Sequence, residues 1–201
     1  MRGRLITIEG LDGVGKTTLG EALAAALRER APAVELLREP GGVELAERLR
    51  AVVKDPALSV DPRAEALLYA AARAQLVHER LLPLLHAGED VLLDRFVDSS
   101  LAYQGAGRGL GVAEVAELNR FATAGLVPDL TLYVRVDPAV GAARRKGTDR
   151  LEQAGDAFFV AVAGAYDELA AAEPGRIVVL DGSRPPAEVL AGALAALRDL
   201  D

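Results

Sequence analysis

Short apolar runs alternate along the chain with longer stretches of helical spacing. The first run, Leu5 to Glu9, is followed by a glycine-rich turn and then by an Ala/Leu/Arg stretch from about Thr17 to Arg30. This order predicts a strand, a loop and a helix. Similar runs follow at Val34–Arg38, Asp90–Asp94, Leu130–Val136 and Arg176–Asp181. Strands that alternate with helices predict an α/β fold with a five-stranded parallel sheet, covered by helices on both faces.

Two connections between the predicted strands are longer than a simple crossover needs. The connection after the second strand has helical patterns at about Val43–Val53 and Arg63–Ala87. The connection Asp98–Leu126 contains a glycine-rich turn, Gln104–Gly111, and a helical pattern at about Ala113–Ala124. Open α/β folds keep their sites in such excursions at strand ends, so we expect functional residues there.

The segment 10–17, Gly-Leu-Asp-Gly-Val-Gly-Lys-Thr, matches the pattern G-x-x-x-x-G-K-[ST] directly after a predicted strand and at the start of a helix. In this pattern the backbone N–H groups surround phosphates, Lys16 neutralises their charge and the Thr17 hydroxyl ligates magnesium. We call this segment the cradle. It predicts a nucleoside triphosphate site, and the expected ATP-binding residues are Gly10, Leu11, Asp12, Gly13, Val14, Gly15, Lys16, Thr17 and Thr18.

An Asp-Arg pair ends the third predicted strand. Asp94 stands at the carboxyl edge of the sheet, where a carboxylate would reach magnesium, and Arg95 follows it at once. The pair could hold the metal and clamp a phosphate. A strand-end cap followed by a solvated arginine is the alternative. The predicted metal ligands are therefore Thr17 and Asp94.

Composition narrows the class of protein. The 201 residues, 51% of them hydrophobic, favour one domain, and the net charge of −7 disfavours nucleic acid as a partner. The absence of Cys excludes disulfides, thiolate metal sites and cysteine nucleophiles. Neither a signal segment nor a membrane span is evident, so we expect a cytoplasmic protein without a membrane partner.

Seven segments, taken in chain order, form a recognisable set. They are Ile8 to Gly13, Arg38 to Gly42, Tyr69 with Arg73, Asp94 to Phe96, Ala102 to Gly105, Pro128 to Tyr133, and Asp149 to Glu152. Together they resemble the thymidylate kinase family of P-loop nucleoside monophosphate kinases. The resemblance covers nearly the whole chain. It implies a P-loop NTPase fold with a mobile lid, and transfer of a phosphoryl group from ATP to dTMP, with magnesium, in dTTP biosynthesis. It also implies a homodimer.

The resemblance assigns roles at the acceptor site. It implies that Tyr69 stacks on thymine while Arg73 donates to a base carbonyl, whereas their i,i+4 spacing alone would equally suit a core tyrosine beside a surface arginine. Tyr103 is implied to exclude a ribose 2′-hydroxyl, and Asp12 to approach the sugar 3′-hydroxyl. The full set of expected dTMP-binding residues is Asp12, Arg38, Pro40, Tyr69, Arg73, Arg95, Ser99, Ser100, Tyr103 and Gln104.

A basic run at about residues 144–150 matches the family's lid in position, although such a run is usually a solvated face. Because the cradle carries Gly13 where some relatives have an arginine, the resemblance implies that a lid arginine supplies the missing charge. Arg150 is the expected one, with Arg144 and Arg145 as alternatives. The expected catalytic residues are Lys16, Arg95, Arg150 and Asp12.

Two other functions compete with this interpretation. Another P-loop kinase could act on a nucleoside or a different monophosphate, but it would leave Asp12, Tyr69, Arg73 and Tyr103 unexplained as a set. A nucleotide-dependent switch is the second. A GTPase switch would normally carry an Asn-Lys-x-Asp motif, and no such string occurs.

Overall fold

The computed structural model describes residues 2–29, 33–144, 150, 151, 153–198 and 200. Its sheet contains five parallel strands in the order β2-β3-β1-β4-β5. The strands are β1 Leu5–Glu9, β2 Val34–Arg38, β3 Asp90–Asp94, β4 Leu130–Arg135 and β5 Ile177–Asp181. The predicted sheet is confirmed, and the apolar runs locate the strands to within one residue at each end.

Both faces of the central strands are buried, which explains their continuous apolar sequence. Ile6, Ile8 and Leu92 belong to one buried cluster, whereas Leu5 and the neighbours of Leu92 in β3 belong to another. Because successive strand residues point to opposite faces, each cluster packs on its own side of the sheet.

Nine α-helices occur in the described ranges, several of them short. They are α1 Lys16–Arg28, α2 Glu44–Lys54, α3 Pro62–Leu76, α4 Leu82–His86, α5 Val97–Ser100, α6 Val112–Ala122, α7 Pro138–Arg144, α8 Asp156–Ala172 and α9 Pro186–Arg198. Within those ranges every helix is too short or too polar to cross a membrane.

Two π-helical segments correct the predicted connections. Val77–Leu81 joins α3 to α4, so the single predicted helix over Arg63–Ala87 contains a wider turn. Leu101–Gly107 continues α5, so the first half of the predicted turn Gln104–Gly111 is helical. The i→i+5 bonds of such segments depend on tertiary packing rather than on a local sequence signal, and π segments are frequent at functional sites.

Candidate active site

The cradle follows Glu9 at the carboxyl end of β1 and runs into the first two residues of α1. Gly10 has a φ of 139°, and a side chain there would place Cβ 2.6 Å from the Val134 carbonyl oxygen. Gly15 has a φ of 98° and immediately precedes the first residue of α1. Both backbone conformations suit glycine, so the motif's glycines are explained by the turn that they form.

Lys16 is buried and points back into the cradle. Its Nζ donates to the carbonyl oxygens of Gly10, at 3.1 Å, and Leu11, at 2.7 Å. Burial, and after it the charge of Arg95, lowers the pKa of Lys16 to about 8. Phosphate oxygens at this position would replace the carbonyl acceptors and favour the charged ammonium.

Thr17 and Asp94 face each other across the cradle. The Thr17 hydroxyl donates to Asp94 Oδ2 at 3.2 Å, and Asp94 Oδ1 is buried without a hydrogen-bond partner. Hydroxyl and carboxylate oxygens suit magnesium, which usually also takes phosphate and water ligands. In the described part of the chain, no group of three or more His, Cys, Asp or Glu could hold a metal. A magnesium ion here would therefore depend on the nucleotide for further ligands.

Arg95 links the cradle to the long connection that follows β3. Its Nη2 donates to Asp12 Oδ1 at 2.8 Å and to the Tyr103 hydroxyl at 3.1 Å, and its guanidinium lies 4.9 Å from the centre of the Tyr103 ring. The Tyr103 hydroxyl in turn donates to Asp12 Oδ2 at 3.0 Å. Burial opposes the shift, yet the charges of Arg95 and Lys16 hold the pKa of Asp12 below its usual range. Asp12 is therefore ionised at neutral pH.

The backbone at Arg95 is strained. Its φ of 72° lies in the left-handed region, which costs a non-glycine residue about 1–3 kcal/mol. Such a conformation persists only where the surrounding contacts enforce it. Here the Arg95 N–H donates to the Ile8 carbonyl at 3.0 Å, and the buried Glu9 carboxylate accepts from the Phe96 N–H at 2.7 Å.

One cavity of about 400 Å³ connects the cradle with the two long connections that follow β2 and β3. Its wall includes all the predicted dTMP-binding residues, together with much of the cradle. The lining residues are Asp12, Gly13, Gly15, Lys16, Thr17, Thr18, Arg38, Glu39, Pro40, Arg50, Lys54, Tyr69, Arg73, Asp94, Arg95, Ser99, Ser100, Tyr103, Gln104 and Leu151. Predicted residues from five of the seven segments thus meet in one space. Of the predicted ATP-binding residues, Gly10, Leu11 and Val14 are buried beneath the turn instead.

Four lining residues were not predicted as site residues: Glu39, Arg50, Lys54 and Leu151. Glu39 stands between two predicted residues, so its sequence neighbours were the available signal. Arg50 donates to the Pro40 carbonyl at 2.9 Å. Pro40 also receives a bond from Arg38, at 3.3 Å, and Arg38 pairs with Glu47 at 3.0 Å.

Arg73 is almost fully buried, with 1% of its side chain exposed. Nε and Nη2 contact Glu39 Oε2 at 2.7 and 2.6 Å, and Nη2 also donates to the Phe96 carbonyl at 2.8 Å. Nη1 donates to Ser100 Oγ at 2.8 Å and to Asn119 Oδ1. Each guanidinium donor therefore has a protein partner, and a base carbonyl would have to displace or share one of them.

Glu65 is fully buried and links Gln104, in the cavity wall, to Arg150, at the end of the predicted lid. It accepts from Gln104 Nε2 at 2.9 Å and from Arg108 at 3.1 Å, and it pairs with Arg150 Nη1 at 2.6 Å. A carboxylate accepts hydrogen bonds, so it fixes which end of the Gln104 amide faces it. Arg150 also donates to the Val53 carbonyl at 3.1 Å. Its guanidinium is thus held at Glu65, and Arg150 does not line the cavity.

The remaining lid predictions lie largely outside the described residues. Arg144 ends α7, but its side chain is not described, and Arg145 falls within the undescribed segment 145–149.

The thymidylate kinase family model matches residues 8–192. The chain belongs to the thymidylate kinase family. It is 50% identical over 201 residues to a thymidylate kinase of Deinococcus radiodurans, covering 98% of both chains. A thymidylate kinase of a Geobacillus species is 45% identical over 99% of this chain and 98% of its own.

A solved structure supports the same assignment. The crystal structure of thymidylate kinase from Ehrlichia chaffeensis superposes with a TM-score of 0.82, at 30% identity over 98% of this chain and 99% of that one. Members of the family phosphorylate dTMP to dTDP, and the P-loop fold predicted from the sequence is confirmed.

Proposed function

We propose that the cavity holds dTMP with its phosphate toward the cradle, in line with the γ-phosphate of ATP. The activity, phosphorylation of dTMP to dTDP with ATP as donor, is that of the family. The observation that supports this placement is the cavity that joins the cradle to the wall formed by Tyr69, Arg73 and Gln104. Positioning two anions in line and neutralising the charge between them supplies most of the rate in such reactions.

At the donor end, we assign the ATP β- and γ-phosphates to the cradle N–H groups and Lys16. Thr17 and Asp94 would hold the magnesium ion, whose positive charge would neutralise the phosphates. The unpartnered Asp94 Oδ1 supports this assignment because a buried carboxylate oxygen without a donor suits a cation or a metal-bound water.

At the acceptor end, Arg38 and Arg95 bind the dTMP phosphate, while Asp12 accepts from the sugar 3′-hydroxyl. Ser99 supports Arg95 through a bond of 2.9 Å. Tyr103, tied to both Asp12 and Arg95, lies against the 2′ carbon and excludes a ribose hydroxyl. Pro40 closes the phosphate side.

The thymine ring is assigned to the wall that carries Tyr69. Tyr69 stacks on the ring, and Ser100 and Gln104 supply polar contacts to its edge. Arg73 would donate to a base carbonyl by sharing the N–H group that now bonds Ser100. These contacts extend the predicted roles, and the burial of Arg73 makes its contribution to the fold inseparable from its contribution to binding.

The charge on the transferring phosphoryl group is assigned first to Lys16 and Arg95. Arg150 could add to it only after leaving Glu65 and the Val53 carbonyl. The side chain of Arg144 and the whole of Arg145 lie outside the described residues. We therefore retain all three as candidates. Comparison of their alanine variants separates them.

The test is incubation with ATP, magnesium and a panel of nucleoside monophosphates, with ADP as the readout. ADP produced in proportion to added dTMP, and not to CMP, AMP or GMP, supports the proposal. ADP formed with another monophosphate but not with dTMP would favour the rival kinase. Hydrolysis without any acceptor would favour a nucleotide switch.

A homodimer, which the resemblance implies, and a cytoplasmic location, which the sequence analysis predicts, also belong to this proposal. Sedimentation equilibrium of the purified chain would measure the first, and fractionation of cells that produce it would measure the second.

A further inference from the structure

Glu9 is a buried carboxylate at the end of β1, immediately before the cradle. It is fully buried and is absent from the cavity wall. Nevertheless it receives four hydrogen bonds, three from the chain just after β3 and one from α8. Because this carboxylate does not line the cavity, its effect must pass through the residues that donate hydrogen bonds to it.

Those donors belong to the turn that carries Arg95. Glu9 Oε1 accepts from the backbone N–H groups of Phe96, at 2.7 Å, and Ser99, at 3.3 Å. These groups lie at the start of α5, directly after the left-handed residue Arg95. Glu9 therefore caps the short helix from another strand and keeps the preceding turn in its strained conformation.

The same carboxylate also reaches the guanidinium of Arg95. Glu9 Oε2 accepts from Ser99 Oγ at 2.6 Å, and Ser99 Oγ accepts from Arg95 Nη1 at 2.9 Å. Tyr166, on α8, donates to Glu9 Oε2 at 2.8 Å and so fixes the carboxylate from behind. Glu9 thus holds both the backbone turn at Arg95 and, through Ser99, the Arg95 guanidinium.

We propose that Glu9 is a positioning residue for phosphoryl transfer, which sets the position of the Arg95 guanidinium between donor and acceptor without touching either substrate. This inference rests on the role assigned to Arg95 under the proposed function. Charge stabilisation by a guanidinium depends on its placement, and a displacement of about 1 Å can cost 10²-fold in rate.

The charge state of Glu9 gives a second readout. Burial, followed by the charge of Asp98 on α5, raises the pKa of Glu9 to about 7. The other charged or titratable groups that face it are Arg95, Lys16 and Tyr166. A protonated Glu9 would donate where it now accepts, so the Arg95 turn is best held above this pKa.

The test is a double-mutant cycle between Glu9→Gln and Arg95→Ala, measured as kcat and KM for dTMP and ATP. Gln keeps the shape, but its one oxygen can accept either from the backbone N–H groups of Phe96 and Ser99 or from the hydroxyls of Ser99 and Tyr166, not from both pairs. We expect Glu9→Gln to lower kcat by about 10- to 100-fold while each KM changes by less than about 3-fold. In the Arg95→Ala background the same substitution should change kcat by less than about 3-fold.

Two further variants separate positioning from loss of stability. Ser99→Ala removes the bridge to Arg95 but keeps the Glu9 carboxylate, and it should also lower kcat. Asp90→Asn alters a carboxylate at the opposite end of the sheet, which pairs with Arg4 at 2.6 Å. It should lower the melting temperature while leaving kcat unchanged. In wild type, kcat should fall as the pH drops below about 7, and Glu9→Gln should lose that dependence.

The outcomes are distinguishable. Equal losses from Glu9→Gln in both backgrounds, or a loss reproduced by Asp90→Asn, would overturn the positioning role. If Glu9→Gln does not fold, the Ser99→Ala and Arg95→Ala cycle decides the question in the same way. If Arg95→Ala itself keeps wild-type kcat, it is the assignment of Arg95 under the proposed function that fails.

Discussion

Replacement of Arg73 by alanine should destabilise the protein strongly, before any effect on the base is considered. Arg73 and Glu39 have 1% and 3% of their side chains exposed, and their closest contact is 2.6 Å. The substitution leaves Glu39 buried with neither oxygen paired, because Glu39 Oε1 has no hydrogen-bond partner even in the intact pair. Breaking a buried ion pair from one side costs about 3–5 kcal/mol.

The expected loss can be measured directly. For a chain of this size, each kcal/mol lowers the melting temperature by about 2–4 °C, so Arg73→Ala should lose roughly 6 to 20 °C. Urea unfolding should give the free energy itself. Arg120→Ala is the matched control, since Arg120 pairs with Glu117 with 70% of each side chain exposed. It should leave the melting temperature unchanged.

Proton linkage gives the sign of the pH dependence. Burial raises the pKa of Glu39 even beside Arg73, and without the guanidinium the raised pKa rises further. A carboxyl that binds its proton more tightly when folded contributes stability at low pH and loses it as the pH rises through its folded pKa. The deficit of Arg73→Ala should therefore shrink as the pH falls.

A double variant tests the cause. Adding Glu39→Gln to Arg73→Ala removes the buried charge, so the double variant should lose less than the sum of the two single losses. If Arg73→Ala loses less than about 1 kcal/mol at neutral pH, or if the two losses simply add, the pair does not hold the fold as argued. A raised KM for dTMP could then be attributed to the base contact alone.

Lys16→Ala should abolish phosphoryl transfer without lowering the melting temperature. Burial lowers the pKa of Lys16 to about 8, so the charged ammonium does not stabilise the folded state. The wild-type free energy of unfolding should rise with pH above about 8, and that rise should vanish in the variant. A variant that still turns over at the wild-type rate would refute the cradle assignment. Tyr103→Ala should improve UMP relative to dTMP, and an unchanged ratio would remove Tyr103 from the sugar site. Thymine and uracil differ by one methyl, so dUMP should be used about 10- to 200-fold less efficiently in kcat/KM than dTMP. Of the lid candidates, the arginine that acts on the transferring group should lose about 10³- to 10⁵-fold in kcat on alanine substitution, with smaller changes in KM. If Arg144→Ala, Arg145→Ala and Arg150→Ala all turn over normally, no lid arginine acts.

The parts of the fold that sequence predicts best are those with a local cause. The central strands β1, β3 and β4 are short apolar runs because both of their faces are buried. The cradle has a fixed spacing, in which Gly10 and Gly15 adopt backbone conformations that suit glycine. The two π-helical segments have no such signature, because their wider turns are set by what packs against them.

The polar network behind the site could not be predicted for the same reason. Arg73 meets Glu39, 34 positions earlier, and Glu9 meets Ser99, 90 positions later. The sequence alone does not show whether a glutamate holds a turn, pairs with a buried arginine or faces solvent. Only the folded chain distinguishes Glu9 and Glu65 from the exposed Glu44.

Because Gln104 and Arg150 donate to the same Glu65 carboxylate, the free energies of these two interactions are coupled. If a bound acceptor draws the Gln104 amide away from Glu65, the carboxylate accepts from fewer donors and holds Arg150 more tightly. Reciprocity then requires that a chain in which Arg150 has left Glu65 bind the acceptor with an affinity changed by the same factor. The base end of the cavity and Arg150 would in that case be coupled through a single side chain, Glu65.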